Sequence, residues 1–144
     1  MLFRSSLSAT VQIAHKNLDG SEKIVIAGPT GVRAFAVSQG VGNEGYVGTI
    51  EARRILPLKN VPGVVIGAVF YDFGWAKRYH TQGLFDLAAN EIALSGAGLG
   101  FYLDINKWSA RGSIAWRITG EAPPPGGTEP NRNPQVFFQV SRSF

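Results

Sequence analysis

Two carboxylates in this sequence sit where exposure to solvent does not explain them. Glu51 and Asp72 fall midway along runs that alternate apolar and polar residues. In a soluble core each would need a partner, because burying an ionised group is costly unless it is paired and hydrogen-bonded. Facing a water-filled interior, each could stand alone. Asp19, Glu44, Asp86, Glu91, Glu121 and Glu129 lie in loops or at their edges and read as solvated. The two histidines, His15 and His80, have no carboxylate at ligand spacing, so neither a zinc site nor a catalytic triad is expected. Both read as surface or loop-base residues. With no cysteine in the chain, disulfide frameworks, thiolate metal sites and cysteine nucleophiles are excluded together.

Three glycine motifs suggest phosphate binding and do not carry it. Gly40-Val41-Gly42-Asn43-Glu44-Gly45 is a literal GxGxxG. A dinucleotide site needs a strand before that motif, a helix after it and an acidic residue about 20 positions on. Here a β pattern follows and no Asp or Glu lies between Glu51 and Asp72, so a flexible loop is expected. Gly28-Pro29-Thr30-Gly31 lacks the Lys-Ser/Thr of a phosphate loop. Gly96, Gly98 and Gly100 alternate on one strand face, which suits a tight wall or a bend. No catalytic residue, metal or cofactor is expected, and the chain does not read as an enzyme.

Composition bounds what must position these residues. The 144 residues make one domain or part of a larger one. Hydrophobic residues are 44% and charged ones only 17%, with 18 glycines, which argues against disorder and against long helices. No run approaches the ~18 apolar residues of a membrane-spanning helix. The net charge of +4 is mild, and apart from Arg53-Arg54 the basic residues are scattered, unlike a nucleic-acid footprint. The opening residues Met1 to Ser6 lack the charged and apolar regions of a secretory signal. A Gly-rich, aromatic-rich β protein remains.

Period-2 alternation predicts six strands: about Ser6 to His15, Tyr46 to Leu56, Pro62 to Ala76, Ile92 to Asp104, Lys107 to Thr119 and Gln135 to Phe144. The clearest run places Trp108, Ala110, Gly112, Ile114, Trp116 and Ile118 on one face, with Ser109, Arg111, Ser113, Ala115, Arg117 and Thr119 on the other. A slip of one residue would exchange an apolar set for a polar one, so this register is strongly specified. Ordinary strands average about five or six residues, whereas a tilted transmembrane strand needs about 9–11. Connections at Leu58–Val61 and Asp104–Lys107 are tight. Those at Asn17–Gly45, Lys77–Glu91 and Gly120–Pro134 are long, and the last holds prolines that cannot donate to a sheet. Short turns on one side and long loops on the other is the pattern of an outer-membrane barrel. Trp108 and Trp116 are separated by ~26 Å along a strand, or about 20 Å along the normal of a membrane crossed at ~40°, close to the apolar band between aromatic girdles.

The segment GPTGVRAFAVSQGVGNEGYVGTIEARRILP (Gly28 to Pro57), followed by VFYDFGWA (Val69 to Ala76), resembles the C-terminal barrel segment of the two-partner secretion transporters. This is the haemolysin secretion/activation family, in the superfamily that includes the outer-membrane barrel-assembly proteins. The family carries a Val-Arg-Gly-Tyr/Phe tetrad at the tip of a long loop folded into the lumen, and a Phe-x-Asp-x-Gly motif on the next strand but one. Here these stand as Val32-Arg33-Ala34-Phe35 and Phe70-Tyr71-Asp72-Phe73-Gly74. Asn17 to Pro29 resembles the approach to the loop, and Tyr46 to Pro57, with Glu51, the strand leaving it. Two positions depart from the pattern. Ala34 replaces the usual Gly and disfavours positive φ, so a strained or differently turned tip is expected. Arg142 stands where an apolar or aromatic residue is usual, within an otherwise typical insertion signature of Val136, Phe138, Val140 and Phe144.

The resemblance implies an all-β fold: about six C-terminal strands of an antiparallel transmembrane barrel of about sixteen, covering residues 1–144. The remaining strands and the periplasmic domains would be absent, and six strands alone leave two open edges that a membrane does not tolerate. It implies a pore in the outer membrane of a Gram-negative bacterium, exporting a large adhesin or haemolysin. Its partners would be outer-membrane lipid, the secreted protein and the barrel assembly machinery, with no nucleic acid. A small structural or assembly-type barrel without an export role and a lipocalin-like soluble module are the alternatives. Glu51, Arg53, Arg111 and Arg117 are expected to face the lumen. The resemblance further implies an ion pair between Arg33 and Asp72, worth on the order of 1–3 kcal/mol in a partly wet lumen, which holds the loop inside.

Overall fold

The structure, a computed structural model, describes residues 3–79, 90–120 and 132–144. Six long strands and two short ones account for most of them. In chain order they are β1 (Phe3–Gln12), β2 (Ile24–Val25), β3 (Val41–Gly42), β4 (Glu44–Leu56), β5 (Val64–Lys77), β6 (Glu91–Ile105), β7 (Trp108–Thr119) and β8 (Gln135–Arg142). The long strands form one antiparallel sheet in the order β1-β4-β5-β6-β7-β8, and β2 pairs with β3 in a small ribbon. β1 starts and ends three residues earlier than the alternation predicts, and β8 stops at Arg142, before Phe144. Among the described residues the sheet is open. β1 and β8 each pair on one side only, so the described strands do not close a barrel.

The register separates two faces cleanly. Ser8, Thr49, Asp72, Gly96 and Arg117 lie in one row across five strands, and Ser6, Glu51, Phe70, Gly98 and Ala115 in the next. On the opposite face one row reads Leu7, Ile50, Tyr71, Ala97 and Trp116. That face is apolar and uncovered: Trp108, Trp116, Val136, Phe138 and Val140 are all exposed, and Leu7 is 75% exposed. The core lies on the first face alone. There Ile24, Ile26, Ala27, Val32, Ala34 and Phe35, all between β1 and β4 in sequence, pack on Val47, Phe70, Ala76, Leu94 and Ala115. A single sheet thus buries one face under its own loop and leaves the other bare.

At one end of the sheet the chain turns tightly. Asn106 takes φ 52 between β6 and β7, a left-handed conformation that its short polar side chain tolerates. At the other end lie the long connections. Residues 80–89 and 121–131 are outside the described residues, and with them the expectations for His80, Asp86, Glu121, Glu129 and the proline-rich stretch at Pro123–Gly127. No helix among the described residues is long and apolar enough to cross a membrane.

The Gly40–Gly45 segment is not the flexible loop expected of it. Val41 and Gly42 form β3, and Gly45 belongs to β4. Its glycines allow close backbone packing, since a Cβ on Gly42 would meet Lys77 O at 2.7 Å and one on Gly45 would meet Ala76 Cα at 2.9 Å. Glu44, expected to be solvated, opens β4 with its carboxylate 3.6 Å from Lys77 Nζ on the neighbouring strand.

Candidate functional site

The chain leaving β1 returns across the polar face before entering β4, and its local turns aim one arginine at the sheet. Gly28, at φ +98, begins a tight turn in which Gly31 N donates to Gly28 O at 3.1 Å. Val32 N then donates to Ile26 O at 2.7 Å, folding the tip back on its own approach. A side chain at Gly31 would run into Ile26 O, so glycine is required there. Asn43 secures the base of the loop. It is fully buried, its amide N donates to Lys77 O at 2.8 Å, and its side chain joins Asn17 and Leu18.

Arg33 and Asp72 meet beneath the tip. Arg33 Nε donates to Asp72 Oδ2 and Nη2 to Asp72 Oδ1, both at 2.9 Å, in a bidentate pair that fixes direction as well as distance. The Arg33 backbone N adds a third bond to Oδ2 at 3.0 Å, and Thr49 Oγ1 donates to Oδ1 at 2.9 Å. Arg33 Nη1 donates to Glu51 Oε2 at 2.9 Å, so one guanidinium bridges both mid-strand carboxylates. It also lies 3.3 Å above the Phe70 ring centroid. Asp72 is 0% exposed, Glu51 3% and Arg33 8%, so the cluster is buried rather than bathed in a wet lumen. Burial works against the Arg33 charge. Hydrogen bonds and attraction from Asp72, then from Glu51, outweigh it and raise the arginine's pKa.

A second layer surrounds Glu51. Arg53 Nε donates to Glu51 Oε1, Tyr102 OH donates to the same oxygen at 3.0 Å, and the Arg53 guanidinium lies 4.4 Å from the Tyr102 ring centroid. Thr49, Tyr102 and Asn43 are participants that sequence reasoning missed. Thr49 was within reach, since it shares the Glu51 face of its strand two residues away. Tyr102 and Asn43 carry no such local signal.

Other site residues are placed as follows. Gly74 lines the wall beneath the loop, where an added Cβ would meet Ile26 Cβ at 3.3 Å. Arg117 stands in the row of Asp72, with its guanidinium 4.8 Å from the Phe35 ring centroid. Arg111 lies exposed in the row of Tyr102 and Gln139. Phe138 and Val140 are exposed on the apolar face, and Phe144 is fully exposed beyond β8. Arg142 is opposite Trp108 and stacks 5.3 Å from its ring and 5.2 Å from that of Phe144. Among the described residues no group of three or more acidic, histidine or cysteine side chains gathers as a metal site would require.

Ala34 does not have the strained conformation expected for it. Asn106 is the sole non-glycine residue with positive φ among those described. The small tip residue fits because Gly96 lies beneath it, and a Cβ on Gly96 would collide with Ala34 Cβ. Gly96→Val is therefore expected to lift the tip. Overpacking of this kind costs about 1–3 kcal/mol. Trypsin should then cut after Arg33 roughly tenfold or more faster than in the parent protein, and adding Ala34→Gly should slow the cut again.

No family model matches the chain, and no solved structure matches it at a significant level. Curated relatives do. The heme/hemopexin transporter protein HuxB of Haemophilus influenzae is 28% identical over 143 residues, covering 99% of this chain and 24% of that protein. Another HuxB sequence from the same species is 29% identical over 115 residues, covering 78% of this chain and 20% of its own length. The chain thus spans about a quarter or less of the length of the curated relatives it matches. The likeness to these transporter proteins runs through nearly the whole of this chain.

Proposed function

We propose that the chain is the C-terminal part of an outer-membrane β-barrel pore that exports a large secreted partner protein. The observation that carries this reading is the buried Arg33–Asp72–Glu51 cluster, which holds a long loop against the polar face of a sheet whose other face is apolar and exposed. Such a sheet suits lipid on one side and a plugged lumen on the other. In this reading residues 1–144 supply six strands, and β1 and β8 join the remaining strands of the barrel. Phe138, Val140 and Phe144 serve the assembly machinery as an insertion signal. An adhesin or haemolysin is the cargo that the family resemblance suggests. The relatives' name, heme/hemopexin transporter, favours an exoprotein that handles heme or hemopexin.

The test uses the absence of cysteine from these 144 residues, with any cysteine elsewhere in the full-length protein first replaced by serine. Asp19→Cys at the start of the loop, and Asn60→Cys in the tight β4–β5 connection, are introduced singly into the full-length protein in cells. With a membrane-impermeant maleimide, Asp19→Cys should label on intact cells and Asn60→Cys only after permeabilisation. A co-expressed partner exoprotein should reach the medium. The reverse labelling overturns the topology. Correct labelling without export leaves a structural barrel instead of a pore.

A further inference from the structure

We propose that Arg117 is a second latch on the loop: a positioning residue that fixes Ala34 and Phe35 to β7 and to the approach of β8, separately from the Arg33–Asp72 pair. Arg117 shares its row with Gly96 and Asp72, and the absence of a side chain at Gly96 leaves the space in which Ala34 sits. From there Arg117 Nε donates to Ala34 O at 3.3 Å, and the guanidinium faces the Phe35 ring. Its Nη2 donates to Arg132 O at 3.2 Å, while its backbone N donates to Asn133 Oδ1, also at 3.2 Å. One planar group thus joins the loop tip, β7 and the residues entering β8. A lysine could not reproduce this fork, because its ammonium is a single point of charge.

The two latches grip different strands. Arg33 binds β4 through Glu51 and β5 through Asp72, whereas Ala34 and Phe35 are held at β6 and β7. Phe35 is fully buried there, and a Cβ on Gly120 would reach its ring at 2.5 Å. The loop is consequently pinned at two places across the sheet. A shift in the approach to β8 acts on the second latch alone. Resting on the export reading, this latch makes release of the loop a two-step event, in which the pore opens once both have let go.

Ala36→Cys, half-buried beside the latch, reports the tip in the otherwise cysteine-free sequence. Its maleimide modification rate is measured on the full-length protein in detergent micelles, with heat-modifiable migration showing that each variant is folded. Arg117→Gln should raise the rate about tenfold, the combined loss of a charged hydrogen bond and a ring contact at a partly exposed site. Arg117→Lys should restore only part of the protection. Arg33→Ala should also raise the rate, and the two effects should multiply, as independent anchors require. An unchanged rate in Arg117→Gln, alongside a raised rate in Arg33→Ala, overturns the latch. If Arg117→Gln does not fold, Phe35→Leu removes the ring contact instead, and an unchanged rate there has the same meaning. Secretion of the partner protein separates this proposal from the export reading. Faster labelling with no change in secretion keeps the latch and removes its link to export, whereas altered secretion with unchanged labelling removes the latch.

Discussion

Replacing Asp72 by alanine is expected to be the most damaging single change in the chain. The substitution leaves the Arg33 guanidinium inside the structure with half its partners gone, since Asp72 accepts two side-chain bonds and one backbone bond from that residue. Breaking a buried ion pair from one side costs about 3–5 kcal/mol, because the remaining charge stays uncompensated. That exceeds the value expected for a partly wet lumen, and the reason is enclosure: Asp72 has no exposed surface. In the full-length protein, export should fall to near background while barrel insertion is mostly retained, because the strand ladder does not depend on the pair. Arg33→Ala should behave similarly, since it strands Asp72 and removes a ligand of Glu51. The double mutant should be little worse than either single one, because residues in contact are not additive. Strictly additive losses, or normal export in both single mutants, would show that the two side chains work apart.

The second large effect concerns the chain by itself. Expressed as these residues alone and without detergent, it should aggregate or form inclusion bodies. Its apolar face presents Leu7, Ile50, Val69, Leu99, Trp116 and Phe138 to the surroundings, and all six are exposed among the described residues. Contiguous apolar surface of this kind marks an interaction site or an aggregation hazard. The unpaired edges of β1 and β8 add templates for pairing between copies. Sedimentation and light scattering after dilution from denaturant into buffer or into detergent will separate the outcomes. A soluble monomer with a sharp, cooperative thermal transition in buffer would contradict the assignment of that face to lipid.

The long strands were legible in the sequence because alternation is a local property. Lys107 to Thr119 displays its two faces without reference to any other residue, and β7 occupies that run from Trp108. The ion pair was legible for a different reason, through the resemblance of two short motifs, and the face assignment of Asp72 then followed from the period of its strand. What was hidden is non-local. The β2–β3 ribbon contains two residues per strand, too few to show a period, and forms because Ile24 meets Gly42 across the loop. Ala34 looked like a misfit in its motif, and its accommodation depends on Gly96, a residue distant in sequence and two strands away from β4 in the sheet. Tyr102 reaches Glu51 in the same way, from a strand whose alternation gave no sign of a partner.

The pairing of Gln12 with Gly45 places the two ends of the loop on adjacent strands, whether or not its tip is docked. Undocking need not break any pairing between the six long strands, so a released tip remains tethered over its own binding site. Such a segment behaves as an intramolecular ligand with an effective concentration on the order of millimolar. At that concentration, contacts with an intrinsic dissociation constant of about 1 mM, or about 4 kcal/mol, already leave the site half occupied. The closed state can therefore be well populated by contacts too weak to hold a free peptide, and a passing polypeptide that competes for the same face must do so against this local excess.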